Sequence, residues 1–306
     1  MREKGIIIMD NVFYKTDKGI MYLDDCKKFV EKYNKMSGVR KANLIFTSPP
    51  FPLNRAKSYG NMTGDEYLKW FSSLAPLFSD MLEDDGSIVI EIGNAWEKGM
   101  PVHSTLPLET LLKFKEEGKF YLCQEFIYYN SSALPSPIEW VNKKRVRVKD
   151  SFTRIWWMSK TPYPKADNRQ VLVPYSKKMK RLIDKKEYNA GKRPSEHVIG
   201  SNSFAVDNGG AIPPNVIIAA NTAGKGPYFE YCKKQNLNIH PARMSRDIPE
   251  FFIKFLTHEG DLVIDPFAGS NMTGAVAEQL NRNWIGIEIN QLYAEGSKGR
   301  FESIHG

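Results

Sequence analysis

The residues best placed to do chemistry are Thr47-Ser48-Pro49-Pro50-Phe51, which follow the apolar run Asn43-Leu44-Ile45-Phe46. A short buried strand that breaks into Ser-Pro-Pro-aromatic sets a hydroxyl, a fixed carbonyl and a ring at the strand's carboxyl end. Each proline locks its own φ and biases the preceding residue toward extended geometry, so Ser48 and the Pro49 carbonyl are held rigid before any ligand arrives. Two acceptors beside one ring suit a flat ligand bearing an amino group, such as the exocyclic amine of a nucleobase. The plainer alternative is a proline-rich turn.

A second constellation lies near the other end. Asp261-Leu262-Val263-Ile264 runs into Asp265-Pro266-Phe267-Ala268-Gly269-Ser270-Asn271-Met272-Thr273-Gly274, and then into Ala275 through Leu280. This reads as a buried strand, a small-residue loop and an amphipathic helix, in which Gly269 and Gly274 let the backbone approach a ligand. Asn271 tolerates the left-handed geometry such a turn needs. Free amides at the helix start favour a carboxylate or phosphate. A further apolar strand, Trp284 to Ile289, carries Glu288. Its spacing of about twenty residues from the loop is that at which an acid meets ribose hydroxyls. Together these features point to a nucleoside cofactor, the alternative being a purely structural βαβ unit.

With TSPPF early and DPFAGSNMTG late, the chain resembles, over nearly all its length, the β group of amino-methylating DNA methyltransferases. In that group the catalytic motif precedes the S-adenosyl-L-methionine (AdoMet) motif. The stretches SPPFPLNRAKSYGN, LPSPIEWVNKKRVRVKD, DNGGAIPPN and HPARMSRDIPEFF extend the resemblance toward the cytosine-N4-specific kind. It implies a Rossmann-like α/β methyltransferase fold: a mixed, mostly parallel central sheet, circularly permuted motif order and an inserted basic target-recognition lobe. It further implies methyl transfer from AdoMet to the N4 of a flipped-out cytosine. The catalytic residues would be Ser48, Pro49, Pro50 and Phe51, and Asp265, Pro266, Phe267, Ala268, Gly269, Ser270, Thr273 and Glu288 would hold AdoMet.

By the same resemblance His240, in His240-Pro241-Ala242-Arg243, helps close the pocket around the methionine part. Asp25, in Leu23-Asp24-Asp25-Cys26, looks like the acid of the family's Gly-Asp-Ser or Gly-Asp-Cys segment, with Asp24 in place of the glycine. Tyr128 or Tyr129 would pack on the extruded base, their register being open. The implied partners are double-stranded DNA and, in a restriction-modification system, a separate cognate endonuclease. Adenine enzymes of the group usually carry Asp-Pro-Pro-Tyr, so Ser-Pro-Pro favours cytosine. Adenine-N6 transfer, an idle site on a DNA-binding protein, and transfer to RNA or a protein amide stand as alternatives.

Composition agrees. At 306 residues, 42% of them hydrophobic, the chain can hold one large α/β domain with an inserted lobe. It shows no secretory h-region and no apolar run near the length of a membrane span, so a soluble cytoplasmic protein is expected. Cys26, Cys123 and Cys232 are odd in number and far apart, with no CxxC pair, which argues against a disulfide framework or a zinc site. None follows a proline, whereas enzymes that methylate cytosine C5 use a Pro-Cys nucleophile. No metal is needed for direct transfer.

The charge is concentrated. Glu139 to Gly200 carries 17 Lys or Arg against 6 Asp or Glu, while the remainder carries 26 basic and 29 acidic residues, so the whole net charge of +8 resides in this one segment. Such concentration suits a polyanion, because affinity for duplex DNA comes largely from phosphate neutralisation. Lys177 to Arg181 reads equally as a solvated surface. In Lys143-Lys144-Arg145-Val146-Arg147-Val148-Lys149 the basic residues alternate with valines, which predicts a half-buried strand with one charged face. With Arg154 these basic residues are the candidate DNA contacts.

The elements that must position these groups read as follows: a helix near Asp24 to Tyr33, one helix from about Thr63 to Leu82, a turn at Asp84-Asp85-Gly86, and strands Ser87–Ile92 and Cys123–Tyr129. A boundary at Leu134-Pro135-Ser136-Pro137 opens the basic segment, which includes Trp156-Trp157. Helix Pro249–Leu256 returns the chain to the cofactor strand. The expected division is a catalytic portion over 1–135, a target-recognition region over 136–221 and an AdoMet-binding portion over 222–306.

Overall fold

The computed structural model describes all residues except 1, 4, 5, 8, 52–61, 63, 187–189, 201–205, 221–224 and 303–306. Residues 52–61 of the SPPFPLNRAKSYGN stretch therefore lie outside the described residues. Two small hairpins form sheets of their own: β1 (Arg2–Glu3) with β2 (Ile6–Ile7), and β9 (Gly191–Lys192) with β10 (Val198–Ile199).

The main sheet has the order β11-β7-β8-β6-β5-β12-β13-β4-β3. Its strands are β3 (Val12–Lys15), β4 (Gly19–Leu23), β5 (Ala42–Thr47), β6 (Leu82–Gly93), β7 (Tyr121–Asn130), β8 (Phe152–Ser159), β11 (Val216–Ala219), β12 (Leu262–Asp265) and β13 (Asn283–Glu288). Only β3 and β8 run antiparallel to their neighbours, so the sheet is mixed and mostly parallel, as the sequence implies. The central strands are apolar on both faces because both faces are covered. Ile45, Ile88, Ile90 and Ile264 pack on one side with α1 (Cys26–Lys35), α2 (Gly64–Ser72), α3 (Ala75–Met81) and α4 (Leu106–Glu117). Leu44, Phe46, Val89 and Val263 pack on the other with α7 (Asp247–Leu256) and α8 (Met272–Gln279).

Several local expectations are corrected. The helix expected over Thr63–Leu82 is two, because Pro76 cannot donate within a helix interior and instead occupies the first turn of α3. The Asp84-Asp85-Gly86 turn is a bulge inside β6: Ala42 pairs with Leu82 and Leu44 with Ser87, leaving the intervening residues looped out.

Trp156 and Trp157, placed in the basic segment by the sequence, lie on opposite faces of β8 between β6 and β7. Both are buried, and Trp157 Nε1 donates to Ser87 Oγ at 2.9 Å. Nor is the basic run a strand. Glu139–Lys143 makes one π-helical turn, Arg145 has φ 55°, and the Val146 and Arg147 amides both donate to the Trp140 carbonyl. Val146 and Val148 are 50% and 86% exposed, so the alternation has no buried face.

The chain forms two compact units, residues 1–166 with 215–306, and residues 167–214. β8, although it falls within 136–221, is a strand of the main sheet. The smaller unit contains β9, β10 and α5 (Lys177–Lys185), whose N-cap Ser176 accepts from the Met179 amide. Among the described residues, no helix is long and apolar enough to cross a membrane.

One close approach locks the far edge of the sheet. Gly19 pairs with Trp284, and a Cβ at Gly19 would lie 2.2 Å from the indole. The indole is immobile: it stacks on Phe301 at 5.2 Å and donates to Glu278 Oε2 at 2.7 Å. Gly19→Ala is expected to lower stability by about 1–3 kcal/mol through overpacking, measured as a shift in the urea midpoint at unchanged slope.

Candidate active site

In an open, mostly parallel sheet, ligands bind outside the carboxyl ends of the strands. Here those ends surround a cavity of about 810 Å³, ample for a nucleoside-sized ligand together with a base. Ser48, Pro49, Pro50 and Phe51 enter it from the end of β5, and Asp265 through Ser270 from the end of β12. Asp25 follows β4, Glu288 ends β13, and Thr273 and His240 complete the set of sequence-marked residues on the wall. The two motifs, over two hundred residues apart in the chain, thus share one chamber because β5 and β12 are neighbours.

That junction is cross-linked. Asp265 is buried and accepts from Thr47 Oγ1 at 2.8 Å, Thr273 Oγ1 at 2.6 Å and the Phe267 amide at 3.1 Å. It ties β5, the loop and the start of α8 together, beyond lining the cavity. Burial pushes its carboxyl up to about 6 against the pull of these donors.

Asn271 has the left-handed geometry expected of it, φ 52° and ψ 47°, and its side chain accepts from the Gly274 amide at 3.0 Å. The helix start is therefore not the fully free anion site the sequence suggests, since one amide is capped from within. Gly269, at φ 52°, passes so near His240 that a Cβ would lie 3.1 Å from Nε2.

Glu288 uses both oxygens: the Gly269 amide donates to Oε2 and the Asn290 amide to Oε1, each at 2.8 Å. Each oxygen keeps a lone pair for a ligand hydroxyl. Burial raises its carboxyl above the ordinary range, opposed by these amides. Asp25 serves as N-cap of α1, accepting from the Lys28 amide at 3.0 Å. The His240 amide donates to the Tyr228 hydroxyl at 2.9 Å, and its ring meets Tyr293 edge-on at 4.4 Å.

The Phe51 ring lies against the end of β6, where a Cβ on Gly93 would be 2.7 Å from it. Strand alternation separates the tyrosines. Tyr128 is buried at the cavity wall, whereas Tyr129 is 37% exposed and does not line it. Among the described residues, the hydroxyls of Tyr128 and Tyr67, both on this wall, are buried without a hydrogen-bond partner. Such orphans in a chamber lined mostly by apolar surface suit a ligand that supplies hydrogen bonds.

Two residues escaped the sequence reading. Glu91 is buried at the cavity wall and accepts from Thr153 Oγ1 at 3.0 Å. Desolvation raises its carboxyl above the ordinary range, and hydrogen bonds from Thr153 and Ser48 oppose the rise. Its signal was present: a lone acid within Ile88-Val89-Ile90-Glu91-Ile92, expensive to bury without a task. Arg300 is held near the far end of the chain, where Nε donates to the Ser270 carbonyl at 2.5 Å and Nη2 to Ser270 Oγ at 2.8 Å. The guanidinium lies 4.4 Å over the Tyr228 ring. Nothing local marked this clamp, which exists only through the packing of the C-terminal turn.

None of the six basic candidates lines this cavity. Arg154 lies within β8 and pairs with Glu125 at 3.1 Å, while Lys143 and Lys144 share Glu139 at 3.2 and 3.9 Å. Arg145, Arg147 and Lys149 are exposed.

Comparison with known proteins gives the same picture. Residues 42–299 match the family described as DNA methylase. The chain is 45% identical to the Type II methyltransferase M.PvuII of Proteus hauseri over 94% of its own length and 85% of that protein. It superposes on the structure of the PvuII DNA methyltransferase (cytosine-N4-specific) with a TM-score of 0.76 at 37% identity, covering 95% of this chain and 89% of that one. The fold is shared more distantly with TTHA0409 of Thermus thermophilus, solved in complex with S-adenosyl-L-methionine. That match has a TM-score of 0.55 at 15% identity and covers 92% of this chain and 93% of that one. By motif, fold and descent alike, the chain belongs to the DNA methylase family.

Proposed function

We propose that the protein is an AdoMet-dependent DNA methyltransferase that modifies the exocyclic N4 of cytosine flipped out of duplex DNA. The observation that carries this reading is the meeting of Ser48-Pro49-Pro50-Phe51 and the Asp265–Ser270 loop in one cavity, with Glu91 hydrogen-bonded to Ser48. AdoMet fits the residues present: Glu288 offers lone pairs to ribose hydroxyls, Gly269 admits close backbone approach, and His240 closes one side. When bound, AdoMet supplies an electrophilic methyl group.

The rest is the work of this chain. The lone pair of cytosine N4 is delocalised into the ring and is a poor nucleophile. Ser48 Oγ and the Pro49 carbonyl accept the two amine hydrogens, which favours a tetrahedral nitrogen with its lone pair exposed. Because the Ser48 hydroxyl donates to Glu91, its own lone pairs are turned to the amine. Methylation leaves the nitrogen with an excess proton. Ser48 takes it as the serine proton passes to the Glu91 carboxylate. Positioning and charge stabilisation supply the catalysis, and Phe51 and Tyr128 offset the few kcal/mol lost on unstacking the base.

The region 136–221 is the proposed target-recognition segment, between a catalytic portion spanning 1–135 and an AdoMet-binding portion spanning 222–306. The Type II relative supports a separate endonuclease of the same site as partner.

Glu288→Gln is expected to weaken AdoMet binding about 10- to 100-fold, the worth of a hydrogen bond to a charged group, with a far smaller change in kcat at saturation; calorimetry and steady-state kinetics measure the two. The reaction itself is tested by expression in a host without DNA methylation, followed by single-molecule sequencing. N4-methylcytosine at one recurring motif is expected. N6-methyladenine would overturn the reading of Ser48, and absence of modification despite AdoMet binding would point to an idle or non-DNA enzyme.

A further inference from the structure

A second hollow, of about 440 Å³, adjoins the active-site cavity and shares two wall residues with it, Asp150 and Phe152. Trp96, His103, Arg147 and Lys149 also line it. Its floor is built. Asp150 accepts from Asn94 Nδ2 at 2.8 Å and Trp96 Nε1 at 3.1 Å, His103 Nε2 lies 3.6 Å from it, and its amide donates to the Ser136 carbonyl at 2.9 Å. Trp96 and His103 form a β-bridge, with rings edge-on at 4.3 Å. Asp150, the one acid among the described residues of the hollow, is thus engaged by two side-chain donors, Asn94 and Trp96, with His103 beside them.

The two cations are not so engaged. Arg147 donates Nε to the Pro101 carbonyl at 2.8 Å and Nη1 to the Val146 carbonyl at 2.7 Å, and Lys149 donates to the Ala133 carbonyl at 3.1 Å. These bonds fix both side chains through neutral acceptors and leave further N–H donors on each. Among the described residues neither has a carboxylate in salt-bridge contact, whereas Lys143, Lys144 and Arg154 all do. A pre-positioned pair of cations with spare donors is suited to an anion that can accept several hydrogen bonds at once.

We propose that this hollow seats one backbone phosphate of the strand that carries the flipped base, with Arg147 and Lys149 donating to its non-bridging oxygens. The proposal rests on the DNA-methylating reading above. The shared wall is what commits it to DNA. Phosphates recur about every 3.4 Å of axis on a strand, so a nucleotide inserted in the larger cavity carries its flanking phosphates to the immediate neighbourhood of Asp150 and Phe152. Phosphate contacts of this kind set register and orientation without reading sequence. Asp150, held by Asn94, Trp96 and His103, keeps the two chambers at a fixed spacing.

The test uses the full chain and a short duplex. One phosphate's worth of contact lowers the slope of log K against log salt by about one. Arg147→Ala with Lys149→Ala is therefore expected to weaken duplex binding, with a slope smaller by about one and AdoMet affinity unchanged. Lys113→Ala, on α4, is the control and should leave the slope unchanged. In a duplex whose modified base has been mapped, an uncharged methylphosphonate at one of the two flanking phosphates should weaken binding to the wild type about tenfold. It should cost the double variant almost nothing. An unchanged slope in the double variant overturns the proposal, as does a methylphosphonate penalty that persists in it. A reduced slope in a protein that deposits no N4-methylcytosine would overturn the reaction assigned above and leave the phosphate seat standing.

Discussion

Ser48→Ala is expected to lower kcat about 10²- to 10³-fold, the usual loss on removing one fixed hydrogen-bonding group from a site of charge development, while AdoMet binding and thermal stability stay near those of the wild type. In the proposed mechanism the hydroxyl accepts from the amine and passes a proton to Glu91, and neither task touches the Asp265–Ser270 loop. The neighbouring acceptor, the Pro49 carbonyl, is backbone and survives the substitution, so residual activity should exceed zero. Ser48 is half-buried and caps no described element, so the stability at stake is limited to the one hydrogen bond it donates to Glu91. Single-turnover methylation of duplex DNA alongside calorimetric AdoMet binding measures both quantities. Turnover within a few-fold of wild type would remove Ser48 from the mechanism.

Replacing Glu91 by Gln should cost about 10²-fold in kcat, at the lower end for a general base, and its pH behaviour separates chemistry from folding. Desolvation raises the Glu91 carboxyl above its ordinary range. In the proposed mechanism the ionised form orients Ser48 and receives the proton, so activity should rise with pH along a limb displaced upward from the usual carboxylate range. Glu91→Gln should lose that limb. Stability runs the other way. A carboxyl whose folded pKa lies above its unfolded value contributes stability that is full below the unfolded pKa and lost as pH rises through the folded one. The wild type should therefore be relatively destabilised near pH 8, and the Glu91→Gln variant should melt no lower there despite its slow turnover. A variant that is both slow and markedly unstable at pH 8, or one that keeps the acid limb, would show Glu91 to be structural.

These two residues also show how far one chain of letters can be read. Ser48 is legible because two prolines after an apolar strand restrict geometry locally, and Glu288 because strand, glycine loop and helix have a fixed length. Asn271 belongs with them, its left-handed turn being a property of its own backbone. For Ser48 and Asn271 the physics operates within a few residues, and for Glu288 within one strand-loop-helix unit of about twenty, so propensity and spacing carry the information. The single helix expected over Thr63–Leu82 breaks on the same scale, at Pro76, where apolar periodicity continues across a residue that cannot continue the hydrogen bonding.

The basic run Lys143–Lys149 failed for a different reason. Alternation of charge and valine predicts a strand only if one face is buried, and burial is supplied by what packs above it. Among the described residues nothing covers it, with Val148 86% exposed. Trp156 and Trp157 are the converse: assigned to a DNA-facing segment by the charges around them, they fill both faces of the main sheet because β8 inserts between β6 and β7.

By itself, then, the sequence determined the family, and through that resemblance the mostly parallel sheet, together with the two motifs whose residues line the cavity. Each is written in short-range pattern. Only the tertiary structure decided that β5 and β12 stand side by side to bring Ser48 to the cofactor loop, that Tyr128 and not Tyr129 faces the chamber, and that Glu91 stands behind Ser48. It alone separated the salt-bridged cations from Arg147 and Lys149 in a hollow of their own. Those outcomes depend on strand order, on which face of a strand is covered, and on which charges lie within reach of one another. All three are set by contacts between residues far apart in the chain.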